Sequence, residues 1–277
     1  MAKGIGLIGN FKGKVGNTVG YKLTASNNGQ TQGIRVYQPI VKNPNRAGQA
    51  EQRAKLLAVN ATYRALKMVI DRGNEGLPYG NKSRLDWLKG ALKSTQMPWI
   101  EKGAAVTMPV GCPLTKGSLA GLLTQIGEDT IEITCTGMAA SESAPTIGAI
   151  STALLAAYPS LKAGDQITIV NCGNLGGMLS ASVYSFVIDT NSKETNVNFE
   201  AGQDVLRYNM VGGMGCGAVI VSRQGDNGEH LRSTTLLVIT NDFLAKAPYD
   251  ADSKAAAIAS YRASAASNSD WAEESIQ

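Results

Sequence analysis

The sequence predicts an α+β protein, mainly β, in which an N-terminal glycine-rich hairpin and helices pack with a C-terminal antiparallel immunoglobulin-like β-sandwich. Three observations point there. Glycine is abundant, 31 of 277 residues, and recurs at positions 4, 6, 9, 13, 16, 20, 29 and 33, a density that a stable helix does not tolerate. A helical periodicity follows Asn43-Pro44-Asn45. Beyond Pro98, short apolar-polar alternations are separated by turn residues, the pattern of strands rather than helices. With 43% hydrophobic but only 6% aromatic residues, the chain can bury a core built largely of aliphatic side chains.

Residues 5 to 23 read as extended and turning, with Tyr21 to Leu23 and Ile34 to Ile40 as strands around the polar connector Thr24 to Gly33. Pro44 keeps its predecessor out of the α region, and Asn45 can then cap a helix. From Arg46 to Ile70, Ala50, Ala54, Leu57, Ala58, Ala61, Leu66 and Val69 follow one narrow stripe, with Arg53, Lys55, Arg64 and Lys67 elsewhere on the helix. Gly73 to Gly80 breaks it. Ser83 is read as the cap of a second helix whose apolar face is Leu85, Leu88, Ala91 and Leu92.

Strands are expected at Ile131 to Cys135, Ile167 to Asn171, Val183 to Ile188, Val205 to Met210, Ala218 to Val221 and Leu236 to Ile239, with Asp226-Asn227-Gly228 as a hairpin turn. Ile150 to Tyr158 is apolar enough for a short helix before a turn at Ala163 to Asp165, and from Asp252 an Ala/Ser-rich segment is helix-competent. Three divisions follow: a basic hairpin and helical unit at 1–94, a β-sandwich at 95–243, and a helical or mobile tail at 244–277.

Charge is distributed unevenly. Residues 1–94 hold sixteen Lys and Arg against four acidic side chains, net plus 12, and residues 95–277 sum to minus 8. Such a split speaks of partners: nucleic acid, an acidic neighbour, or copies of the chain itself. The candidate polyanion or partner contacts are Lys3, Lys12, Lys14, Lys22, Arg35, Lys42, Arg46 and Arg53. No stretch approaches the roughly 18 apolar residues of a membrane span, and the start lacks a signal-peptide pattern, so synthesis in the host cytoplasm without a signal peptide is expected.

Catalytic and cofactor motifs fail in context. Gly4-Ile5-Gly6-Leu7-Ile8-Gly9 matches G-x-G-x-x-G, but no strand precedes it, more glycines follow, and the first acidic residue is Glu51. Gly13-Lys14 has Ile8 and Val15 where a phosphate-binding loop needs Gly and Ser or Thr. His230, the one histidine, sits beside the Asp226 turn as a solvated residue. Glu128 with Asp129, and Asp226 with Glu229, are adjacent or in turns, where solvated charge is the ordinary role. Cys112, Cys135, Cys172 and Cys216 form no C-x-x-C pair and read as four small buried thiols, with no metal and no cofactor expected.

Gly4-Ile5, then the run Gly9-Asn10-Phe11-Lys12-Gly13-Lys14-Val15-Gly16-Asn17-Thr18-Val19-Gly20-Tyr21, then Arg35, then Lys42-Asn43-Pro44-Asn45 with Gln49, Gln52 and Arg53, resemble the opening of an uncharacterised family of Bacteroidota and their phages. Its pattern is G-x-F-x-G-K-V-G-x-x-x-G-Y leading to N-P-x-x-x-x-Q-x-x-Q-R. Gly164 to Val170, Ala218 to Val221 and Ser233 to Leu236 are similar to its β-rich back half. The resemblance brings no activity and no functional residues. It implies a non-enzymatic structural protein of a bacteriophage virion, a homo-oligomer contacting copies of itself and other virion proteins. The rival expectations are a non-specific nucleic-acid-binding protein using the basic unit and a bacterial surface or adhesion protein.

Overall fold

The computed structural model describes residues 13–15, 18–22, 32–36, 46–94, 96–104, 109, 111–127, 129–138, 142–175, 178–210, 216–225, 228–239 and 249–274. The chain is an α+β protein whose paired strands are all antiparallel. It divides into two compact units, Met1–Pro44 and Asn45–Gln277, a division at a different place from the boundaries drawn from composition. The reason lies in the helices after Pro44, whose apolar side chains share a core with strands of the later half.

In the first unit, β1 (Gly13–Val15), β2 (Thr18–Lys22) and β3 (Gln32–Val36) form a sheet in that order. Gln32 and Gly33, expected in the connector, are the register partners of Lys22 and Tyr21. The residues before Gly13, and the expected cap Asn45, lie outside the described residues.

The second unit opens with α1 (Ala47–Ala65), α2 (Lys67–Ile70) and α3 (Asn81–Ala91). Arg46 occupies the N-cap position in an extended conformation and makes no side-chain cap. The single helix expected over Arg46 to Ile70 is interrupted at Leu66, where φ −105° and ψ 19° leave the helical region. Ser83 is not a cap. It is buried inside α3, where its Oγ donates to the Ile70 carbonyl at 2.7 Å and ties α3 to α2. Gly80, with φ +86°, starts the helix instead, a conformation open to glycine. Leu85 faces solvent, and Ser83, Trp87 and Ala91 take the buried face assigned to it.

The strands that follow are β4 (Pro113–Thr115), β5 (Thr124–Ile126), β6 (Thr130–Thr134) and β7 (Glu142–Ser143), then α4 (Ile147–Ala157). The Thr146 hydroxyl caps α4 by accepting from the Ala149 N–H at 3.2 Å. Next come β8 (Gln166–Leu175), β9 (Met178–Val187), β10 (Phe199–Gly202), β11 (Val205–Asn209), β12 (Cys216–Gln224), β13 (His230–Arg232), β14 (Thr235–Leu236) and β15 (Val238–Ile239), closed by α5 (Ala251–Glu274). One sheet runs β5-β6-β11-β10-β7; another runs β13-β12-β8-β9 with β15 also on β12. The Asp226 turn falls between β12 and β13, whose register pairs Gln224 with His230; Asp226 and Asn227 themselves lie outside the described residues.

The two sheets share one core. Ile131 and Ile133 of β6, Phe199 of β10 and Leu206 and Tyr208 of β11 meet Ile167 and Ile169 of β8, Phe186 of β9 and Val219 and Val221 of β12, with Ile150 and Leu154 from α4. Phe199 is fully buried and stands edge-on to Tyr184, Phe186 and Tyr208 at 5.7, 5.8 and 5.3 Å, an arrangement that suits the ring quadrupoles. The intervening residues Val170 and Cys172 of β8 and Ala218 and Ile220 of β12 point into a second core with Ala58, Leu66, Ile70, Trp87 and Ala91. A layer of helices therefore covers one face of the β8-β12 sheet while the other sheet covers its opposite face.

Beside the turn before β8, Asp165 is buried and clamped by Arg223 of β12, Nε to Oδ1 at 2.6 Å and Nη2 to Oδ2 at 2.7 Å. Arg223 also donates to the Ser160 carbonyl, and the Lys162 N–H donates to Asp165. Removing one partner of a buried pair leaves the other uncompensated. Asp165→Asn therefore lowers unfolding stability by about 3 kcal/mol in urea titration, whereas Glu132→Gln, which breaks the exposed Glu132–Arg207 pair, costs less than about 1 kcal/mol.

Candidate functional site

The eight basic residues singled out in the sequence fall in different places. Lys3, Lys12 and Lys42 lie outside the described residues. Lys14 and Arg35 are both register partners of Val19, so the backbone sets them in one row across β1, β2 and β3; Lys22 pairs with Gln32. Arg46 is exposed at the start of α1, and Arg53 lies half-buried on that helix.

The structure adds what spacing alone did not disclose: the fate of the four carboxylates among residues 46–94. Glu51 accepts from Lys55 at 2.9 Å and Lys254 at 3.2 Å, and the Lys55 ammonium foremost holds its carboxyl below the usual range. Both ammonium groups also lie over the Trp99 ring, at 5.6 and 4.8 Å, fastening α5 to α1. Asp71 is paired with Lys67 and accepts from the Tyr63 hydroxyl at 2.9 Å. Asp86 pairs with Lys116 at 2.6 Å and accepts from Asn74. Glu75 accepts from the Ser118 and Arg232 backbone N–H groups at 2.9 and 3.0 Å and from the Ser118 hydroxyl.

Most cations of the same stretch, Lys55 and Lys67 apart, enter no ion pair among the described residues. Among the described residues, Arg46, Arg53, Arg64, Arg72, Lys82, Arg84, Lys89 and Lys93 make no ion pair, and no ion pair joins a cation before residue 95 to a carboxylate after it. Arg53 and Arg84 are half-buried, and the Arg84 guanidinium lies 4.6 Å from the Tyr63 ring. Lys82 and Lys89 on α3 are exposed and lie within about 20° of one another around the helix axis, and Lys93, also exposed, follows in the turn just past the helix end. Their spacing of seven and then four residues is visible in the sequence; that none of them enters an ion pair among the described residues is not.

Elsewhere the chemistry is quiet among the described residues. No three His, Cys, Asp or Glu side chains are grouped to hold a metal ion. All four cysteines are buried and unbridged; burial pushes the Cys112 and Cys135 thiols up to about 11, and the contact with Cys172 together with burial raises Cys216, which disfavours a thiolate at these three positions. His230 is exposed, 5.5 Å from the Tyr79 ring. Two open clefts, of 340 Å³ beside Trp99 and 350 Å³ beside Tyr184, are lined by neutral and acidic side chains only. No described helix is long and apolar enough to cross a membrane. No family model matches the chain, and no curated protein or solved structure matches it.

Burial pushes the Glu75 carboxyl upward, but the Ser118 and Arg232 N–H groups outweigh it and hold the carboxyl below its ordinary 4.5. A folded value below the unfolded one gives stability that is present above pH 4.5 and is lost as pH falls through the folded value. Glu75→Gln accordingly lowers stability at neutral pH by about 1–2 kcal/mol. Chemical denaturation across a pH series shows the difference between variant and native protein shrinking as the solution is acidified below pH 4.5.

Proposed function

We propose that the protein is a non-enzymatic structural component of a bacteriophage virion, forming a shell, vertex or attachment layer through contacts with copies of itself and other virion proteins. One observation carries this reading: the cations of the early stretch are not neutralised by the carboxylates of the later one, among the described residues. Intramolecular pairing leaves a positive surface unspent, and such a surface favours an acidic neighbour or a packaged genome. The resemblance of the glycine-rich opening to the phage-associated family supports the same reading, as does the sparse chemistry of the clefts.

Two sheets around one core support an immunoglobulin-like sandwich, and the glycine-rich opening is read as a hairpin carrying Lys14, Lys22 and Arg35. Strand β9 ends its sheet, and its Val183 and Val187 are 41% and 51% exposed, an edge suited to burial by a neighbouring subunit.

Multi-angle light scattering of the purified protein tests the reading. Discrete oligomers are expected, shrinking as salt shortens the screening length from about 10 Å at 0.1 M to about 3 Å at 1 M. A strict monomer at high concentration, both alone and mixed with the proteins encoded beside it, overturns it.

A further inference from the structure

We infer that the solvent face of α3, with Tyr79 ahead of it, is a binding surface for the backbone and unpaired bases of single-stranded nucleic acid. This deepens the reading above by assigning the partner of the cationic face, and it places the contact on the helical layer instead of the glycine-rich opening.

Lys82 and Lys89 lie about 10 Å apart along α3, a length over which even a duplex presents about six phosphate charges, and Lys93 continues the row in the turn past the helix end. All three lysines are exposed and without an ion pair among the described residues. The one carboxylate on α3, Asp86, is occupied by Lys116 and Asn74. The first turn of α3 carries no acidic residue and no side-chain cap, so the positive end of its dipole adds to the row.

The second element is aromatic. Tyr79 is 49% exposed, with the Arg72 guanidinium 5.8 Å from its ring and His230 at 5.5 Å, and both of these neighbours are exposed too. Cations in a row serve any polyanion, including an acidic protein surface. An exposed ring cluster at the head of the row favours bases that are free to stack, which a duplex or an acidic protein does not offer.

The test is fluorescence anisotropy of a labelled single-stranded oligonucleotide of about 20 nucleotides, between about 50 and 200 mM salt. The native protein binds it, and Lys82→Ala/Lys89→Ala/Lys93→Ala reduces the slope of log affinity against log salt by about 2, three contacts at about 0.7 each. Tyr79→Ala weakens binding roughly tenfold, and Lys162→Ala/Lys193→Ala, which removes exposed lysines elsewhere, changes nothing. Circular dichroism confirms that each variant is folded. The inference is overturned by absence of binding, by a triple variant that binds like the native protein, by an equal preference for duplex, or by displacement with polyglutamate at matched charge. Light scattering without nucleic acid keeps the two ideas apart: oligomers that ignore the oligonucleotide sink this one alone, and a monomer that binds it sinks the virion reading alone.

Discussion

The constraint on which the second unit rests is that strands β8 and β12 are buried on both faces. Ile167 and Ile169 serve the core between the sheets, and Val170 and Cys172 serve the core beneath the helices. Every residue along such a strand must be apolar or hydrogen-bonded, and no register slip is tolerated, because a shift of one position exchanges the two sets. Two close approaches reinforce this. A Cβ at Gly217 of β12 would meet Ile131 Cδ1 at 2.7 Å, and one at Gly148 of α4 would meet the Ser192 carbonyl oxygen at 2.6 Å. Glycine at these points lets a strand and a helix lie against neighbours that any side chain would push away.

The same layering shapes the charge. Helices laid over a sheet have one face to bury and one to expose, and here the carboxylates Asp86, Glu51 and Glu75 are engaged by Lys116, Lys254 and the Ser118 and Arg232 amides. Exposed cations such as Lys82, Lys89 and Lys93 are left without an ion pair among the described residues. Exposed pairs of this kind add little stability individually, so their greater effect is on what the surface presents to other molecules.

Much of this architecture was legible in the sequence, and the departures have physical causes. Strand centres such as Ile131, Ile167 and Val219 declared themselves by alternation, and the stripe of Ala50, Ala54 and Ala58 announced α1. Helix ends were misjudged where side-chain chemistry has two uses: the Ser83 hydroxyl was read as a cap, but it bonds the Ile70 carbonyl because α3 crosses α2 there. The break at Leu66 follows from tertiary packing that periodicity does not contain. Short strands such as β4 and β10, three and four residues long, carry too little pattern to register. Of the basic surface, its existence was readable from counts alone, but its location on α3 was not, since that depends on which partners occupy Asp86, Glu75 and Glu51.

The two cores differ in chromophores as well as in position. Among the described residues, the space between the sheets holds Phe186, Phe199, Tyr184 and Tyr208 but no indole, while Trp87 and Trp99 both belong to the helical layer. In a Trp271→Phe variant, intrinsic emission excited at the red edge therefore reports the helices over the sheet, and loosening of the core between the sheets registers only through tyrosine. One solution of unlabelled protein thus carries two separate optical gauges, able to tell whether the layers come apart together or in sequence.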